Sequence, residues 1–247
     1  MTPVDTPPAN IPSKGLEKAS AAKNAIWDGV SAIFRPGCIV ELRCLNTKQR
    51  TLSGYFNDGS HLAKAAYDLD KQGVPGVYVT LNPVAPPLLA RAPNQMVPYA
   101  RETTQDSHIV KRTRLLIDFD AKRPPGISAT DAEHEAAIDR AYGVRKFLCD
   151  RGWRPPLVID SGNGAHLIFE IDTPNDRDAT TQVQKVLKAL ASRFDDDVVE
   201  VDQTVHNAAR IVKLPGTMAR KGFDMPDRPH RRSRILERPG DFGDTDA

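Results

Sequence analysis

The chain has 247 residues, 40% hydrophobic and 27% charged, enough to bury one large core or two closely packed modules. A formal charge of only +2 excludes a globally basic protein, so any site for a polyanion has to come from local clustering. Three cysteines without Cys-x-x-Cys spacing exclude a zinc framework or a disulfide scaffold, and no stretch is long and apolar enough to span a membrane.

Residues 1–13 are rich in proline and polar neighbours, which predicts a disordered arm. The arm lacks the apolar run of a signal peptide, and the expectation is a soluble, cytoplasmic protein. An Ala-rich helix is predicted over about 14–34, followed by a strand pair at 38–45 and 51–56 around a polar turn at 46–50. A helix over 60–72 with Ser60 as its N-cap and a β-prone run at 76–81 complete an N-terminal α/β module, residues 14–110. Residues 83–113, broken by prolines, read as a long connection to the next module.

From 113 onward the order becomes regular. A strand is predicted at 114–120 and a helix over 130–151, where Thr130 and Glu133 have capping-box spacing. Ala137, Ala141, Val144 and Leu148 form that helix's apolar stripe. Strands at 157–161 and 165–171 flank Asn163-Gly164, a strong hairpin signal. A helix over 176–194 carries Val183, Val186, Leu187, Leu190, Ala191 and Phe194 on one face. Strands follow near 198–201 and 210–214. The order βαββαβ with a trailing strand predicts an antiparallel sheet with two helices on one face, the other face being open for chemistry. The fold class is therefore α+β, with this second module over 111–238 packed on the first and a linker-like tail at 239–247.

Four segments carry candidate chemistry. In Leu115-Leu116-Ile117-Asp118-Phe119-Asp120, the apolar run marks a central strand and period two puts Asp118 and Asp120 on one face. Two carboxylates so placed repel each other unless a cation joins them. Asp160-Ser161-Gly162-Asn163-Gly164-Ala165-His166 is a small, Gly-rich hairpin tip whose backbone amides can approach phosphate oxygens. Asp202 closes the alternating strand Val199-Glu200-Val201 and offers a third carboxylate. Arg210 and Lys213 begin a stretch, 210–238, with nine Lys/Arg against three acidic residues, the pattern of a phosphate-contacting surface.

In order and spacing, the Asp-x-Asp strand, the Ser-Gly-x-Gly-x-His hairpin, the later Asp and Arg-x-x-Lys-Leu-Pro-Gly-Thr resemble the archaeo-eukaryotic primase superfamily. The likeness is to the primase-polymerases of plasmids, phages and mobile elements, and it spans about residues 111–235. It implies an RNA-recognition-motif-like (RRM-like) βαββαβ catalytic module beside an N-terminal α/β module. It implies Asp118, Asp120 and Asp202 as ligands of two Mg²⁺ or Mn²⁺ ions, without zinc. Ser161, Asn163, Gly164, His166, Arg210 and Lys213 would hold the nucleotide. On charge alone, Lys221, Arg231 and Arg232 are expected at DNA.

The expected function is template-directed nucleotidyl transfer from nucleoside triphosphates to a primer 3′-hydroxyl or a first nucleotide. The expected partners are template and primer DNA and a helicase or helical priming domain, beyond residue 247 or on a separate protein. No membrane partner is expected. The alternatives are a non-catalytic replication-initiation or nucleic-acid-binding module, and a metal-dependent nuclease.

Overall fold

A computed structural model of the chain describes residues 13–240, with side-chain detail from residue 17. Residues 1–12, nearly all of the predicted arm, and 241–247 of the predicted tail lie outside the described residues. The elements in chain order are α1 (Ser13–Ile33), β1 (Val40–Thr47), β2 (Arg50–Phe56), α2 (Gly59–Lys71), β3 (Tyr78–Thr80) and β4 (Arg112–Ala121). They continue as α3 (Asp131–Cys149), β5 (Leu157–Asp160), β6 (Gly164–Thr173), α4 (Arg177–Phe194) and β7 (Val199–Val201). The last are β8 (Ile211–Lys213), β9 (Met218–Ala219), β10 (Arg231–Arg232) and β11 (Arg234–Glu237).

Local chemistry sets the helix starts. Thr130 and Glu133 form the reciprocal capping box at α3, satisfying two backbone donors that the helix itself cannot. At α4 the Asp176 carboxylate accepts the Ala179 N–H. At α2 the cap is Asp58 rather than Ser60: its carboxylate accepts the N–H groups of Ser60 and His61, which puts Ser60 inside the first turn. The proline-rich connection holds two short 3₁₀ turns, Pro86–Arg91 and Asp106–His108. It packs on its own small core of Ile39, Tyr55, Val84, Leu88 and Ile109.

The strands form two principal antiparallel sheets. One has the order β2-β1-β3-β8, and the other β11-β5-β6-β4-β7. Within the second, β4, α3, β5, β6, α4 and β7 give the βαββαβ order, with β4 and β6 at the centre and every neighbour antiparallel. The fold is α+β. The stripe Ala137, Ala141, Val144 and Leu148 of α3 is buried, as are Leu187, Leu190 and Ala191 of α4. Ile117, Phe119 and Leu167 of the sheet are also fully buried in this core. Burial of each Val, Leu, Ile or Phe side chain among these is worth about 1.5–3 kcal/mol.

The strands from β8 onward differ from expectation. The segment expected as a trailing strand of the second module, β8, crosses to the first sheet, where Val212 pairs with Val79 and Lys213 with Tyr78. Its Val212 and the following Leu214 are buried in the shared core, so apolar burial draws the chain back to the N-terminal half. The basic segment after residue 230 also supplies sheet structure. There β11 pairs with β5, and the Ser233 hydroxyl donates to the Asp160 carbonyl. Among the described residues, no helix is long and apolar enough to cross a membrane.

Candidate active site

Period two in β4 sends Phe119 into the core while Asp118 and Asp120 emerge together on the face away from α3 and α4. Register then fixes their neighbours. Asp118 lies opposite His166 of β6, and Asp120 lies opposite Gly164 of β6 and Glu200 of β7. Gly164 is required there: a Cβ on it would sit 2.0 Å from the Phe119 carbonyl oxygen and 3.4 Å from Asp120 Oδ1. The missing side chain brings β6 close to β4 and leaves room at Asp120.

The two aspartates stand in a cleft of about 400 Å³, walled on the other side by the first sheet and the segment that follows β8. Ser161, Asn163, His166, Arg210, Lys213 and Lys221 line the same cleft. The hairpin tip is held rigidly. Ser161 Oγ accepts the Gly164 N–H, and Asp160 Oδ1 accepts the Gly162 N–H. Asn163 Oδ1 accepts the Ala129 N–H just before α3. Asp160 is itself buried and bonded at 2.8 Å to His134 of α3, which fixes the hairpin against the helix.

The electrostatics separate the two carboxylates. Burial pushes the Asp118 carboxyl up, but the charge and hydrogen bond of His166, with Arg210 and Lys221 behind, bring it below the usual range. His166 Nε2 lies 3.4 Å from Asp118 Oδ1. Burial and the neighbouring Asp118 charge raise Asp120 above the usual range, against the pull of Arg123 and Lys221. His166 Nδ1 and Arg210 Nε are buried and have no hydrogen-bond partner. Such orphaned donors cost about 1–3 kcal/mol each and are tolerable where a ligand supplies the missing acceptor. Burial depresses the Lys213 ammonium to about 7; it donates to Thr217 Oγ1 and the Met218 carbonyl.

Asp202 only half meets expectation. Its backbone N–H donates to the Asp118 carbonyl at 2.9 Å, so the two aspartates are neighbours across β4 and β7. One of its carboxylate oxygens, Oδ1, accepts the Thr204 N–H at 2.7 Å, a local turn bond. Asp202 is not among the residues lining the cleft, and no three His, Cys, Asp or Glu among the described residues are grouped to hold a metal as they stand. The convergence expected of three carboxylates is reached by two.

Arg231 and Arg232 are committed inside the fold. Arg231 clamps the start of α3 through Asp131 and the Ala129 carbonyl. Arg232 holds Asp70 of α2 and the Gly216 carbonyl. Both were expected at DNA on charge alone, and both have partners within the fold. Four residues absent from the sequence reading belong to the site. Tyr78 and Arg220 line the cleft, and Arg123 donates to Asp120 at 3.2 Å. Asp70 lies behind Arg220.

No protein-family model matches the sequence, and no curated protein matches it. Solved structures of primase and polymerase domains align with the chain, each at a TM-score below 0.5. A crystal structure of the primase RepB′ aligns with a TM-score of 0.46 and 15% identity, over 89% of this chain and 57% of that one. Its catalytic domain in complex with initiator DNA aligns at 0.45 and 15%, over 89% and 86%. The polymerase domain of Mycobacterium tuberculosis Ligase D, in complex with DNA, aligns at 0.47 and 18%, over 86% and 80%. This chain thus spans little more than half the length of the first.

Proposed function

We propose that this chain is the catalytic core of a primase-polymerase, joining nucleotides by metal-assisted nucleotidyl transfer on a DNA template. One observation carries the reading: Asp118 and Asp120 share a strand face in a cleft that also holds His166, Arg210 and Lys213. Carboxylates and cations so arranged suit a triphosphate carried with divalent metal, and neither group alone does.

The donor set fits Mg²⁺ or Mn²⁺. Asp118 and Asp120 supply hard oxygen ligands, and the mutual repulsion that raises Asp120 is relieved by a cation between them. Asp202 would complete the set through its second carboxylate oxygen, the first being held by the Thr204 N–H. Divalent ions held by these carboxylates would lower the pKa of the attacking 3′-hydroxyl and stabilise the leaving pyrophosphate. The chain's own groups orient the reactants. His166, whose pKa the Asp118 charge and hydrogen bond raise against the effect of burial, donates to phosphate oxygen. Arg210 and Lys213 offset charge on the polyphosphate, and the amides of the 161–164 hairpin approach it closely. Lys221, exposed at the cleft margin, meets the DNA backbone.

The test is extension of a labelled primer by the full chain with Mn²⁺ or Mg²⁺. Asp118→Ala is expected to lose incorporation with an unchanged melting temperature; near wild-type incorporation by that variant would sink the assignment. The absence of Asp202 from the cleft lining favours one other reading, a nucleic-acid-binding module without chemistry. That reading predicts DNA binding with no metal-dependent extension by the wild type.

A further inference from the structure

Asp70, near the end of α2, is 4% exposed although it carries a charge, so its partners must repay its desolvation. They come from the far end of the chain. Its Oδ1 accepts the Met218 N–H at 2.8 Å and Arg220 Nη1 at 3.0 Å, and its Oδ2 accepts Arg232 Nη1 at 2.9 Å. Its backbone carbonyl accepts Arg220 Nη2 at 2.9 Å. The same Met218 offers its carbonyl to the Lys213 ammonium, which is itself 4% exposed. One carboxylate therefore organises three cations: Arg220 and Arg232 directly, and Lys213 through the backbone of Met218.

The charge does not balance within this group. Lys213 and Arg220 both line the cleft that holds Asp118 and Asp120, while Arg232 does not. Arg220 has five N–H donors, and its bonds to Asp70 and to the Val74 carbonyl use three of them. Two remain for an acceptor in the cleft. A half-buried arginine with spare donors beside a buried lysine suits a polyanion with several oxygens.

We propose that Asp70 is a positioning residue: it fixes Arg220 and Lys213 as a polyphosphate subsite, through which the N-terminal half of the chain holds the anionic end of a nucleoside triphosphate. This rests on the primase-polymerase reading for the nucleotide, but the anion subsite stands on its own geometry. The role separates from plain electrostatics by sign. Asp70→Asn adds one unit of positive charge beside the cleft, so attraction alone strengthens anion binding. Loss of positioning weakens it.

The experiment is calorimetric titration of the full chain with sodium tripolyphosphate at pH 7, without metal, primer or template. Asp70→Asn is expected to weaken binding about tenfold or more, and Arg220→Gln to do likewise, with Arg220→Lys restoring part of the affinity. In primer extension, Asp70→Asn is expected to raise KM for the triphosphate with a smaller change in kcat. Equal or tighter tripolyphosphate binding by Asp70→Asn, or no binding by the wild type, overturns the inference. If Asp70→Asn shows no cooperative melting, Arg220→Gln decides: lost affinity supports the subsite and unchanged affinity overturns it. A wild type that binds tripolyphosphate but extends no primer defeats only the primase-polymerase reading. Extension at unchanged KM by Asp70→Asn defeats only this one.

Discussion

Tyr78 on β3 and Lys213 on β8 are direct register partners, and the Lys213 ammonium lies 5.6 Å from the centre of the Tyr78 ring. This pairing stitches the chain's two halves together at the cleft. It also buries a lysine among Asp70 of α2, Cys44 of β1, Tyr78 of β3, and Arg220 and Arg232.

That burial has a pH signature. The folded state releases the Lys213 proton near pH 7, because burial outweighs the opposing charge of Asp70, whereas an unfolded chain holds it to about 10.5. Between those values the unfolded chain binds more protons, so this group makes stability rise with pH, by at most about 1.4 kcal/mol per unit. Lys213→Met removes that slope. The variant is expected to melt higher than the wild type at pH 7, with the gap narrowing toward pH 10, and to lose affinity for triphosphate. Thermal melts of both proteins across this range check it; a constant gap contradicts it.

The close approach of β6 to β4 makes a second prediction. Gly164→Ala forces a methyl into the Phe119 carbonyl beside Asp120. The expected result is a loss of about 1–3 kcal/mol in denaturant unfolding, as for other overpacked sites. Primer extension should fall further than the unfolded fraction accounts for, because the displaced strand carries Asp118 and Asp120. Wild-type extension by a destabilised variant would separate the strand spacing from the chemistry.

Much of this was legible because it is local. Period two put Asp118 and Asp120 on one face, the Thr130–Glu133 spacing announced α3, and Asn163-Gly164 announced the hairpin. The crossing of β8 was not legible, since a short apolar strand reads alike in either sheet and only pairing with β3 decides. The same long-range contacts hid Tyr78, Asp70 and Arg220. Charge counting could not show the ion pairs of Arg231 and Arg232, because their partners, Asp131 and Asp70, lie far away in sequence. Asp202 was half legible: alternation gave its backbone position, but the bond from Thr204 is a turn preference that alternation does not encode.

Asp202 supplies the sharpest test of the metal set. Asparagine keeps an oxygen that can accept the Thr204 N–H but removes the charge a divalent ion needs. If the carboxylate serves only the turn, Asp202→Asn extends primers almost like the wild type. If it joins Asp118 and Asp120, extension falls about 100-fold or more with an unchanged melting temperature, and raising the Mn²⁺ concentration recovers part of it. The second outcome is the expected one, read from metal titrations of extension rate.

Lys221 and Arg231 divide binding from folding. Lys221 is exposed at the cleft margin, while Arg231 spends its guanidinium on Asp131 and the Ala129 carbonyl. Lys221→Ala should weaken binding to a fluorescent single-stranded oligonucleotide and reduce the slope of log affinity against log salt by about 1, without altering the melting temperature. Arg231→Ala should do the reverse. It frees the start of α3, costs about 1–3 kcal/mol on unfolding, and leaves the salt slope untouched. An Arg231→Ala variant that melts normally but loses a unit of salt slope would return this arginine to the DNA surface.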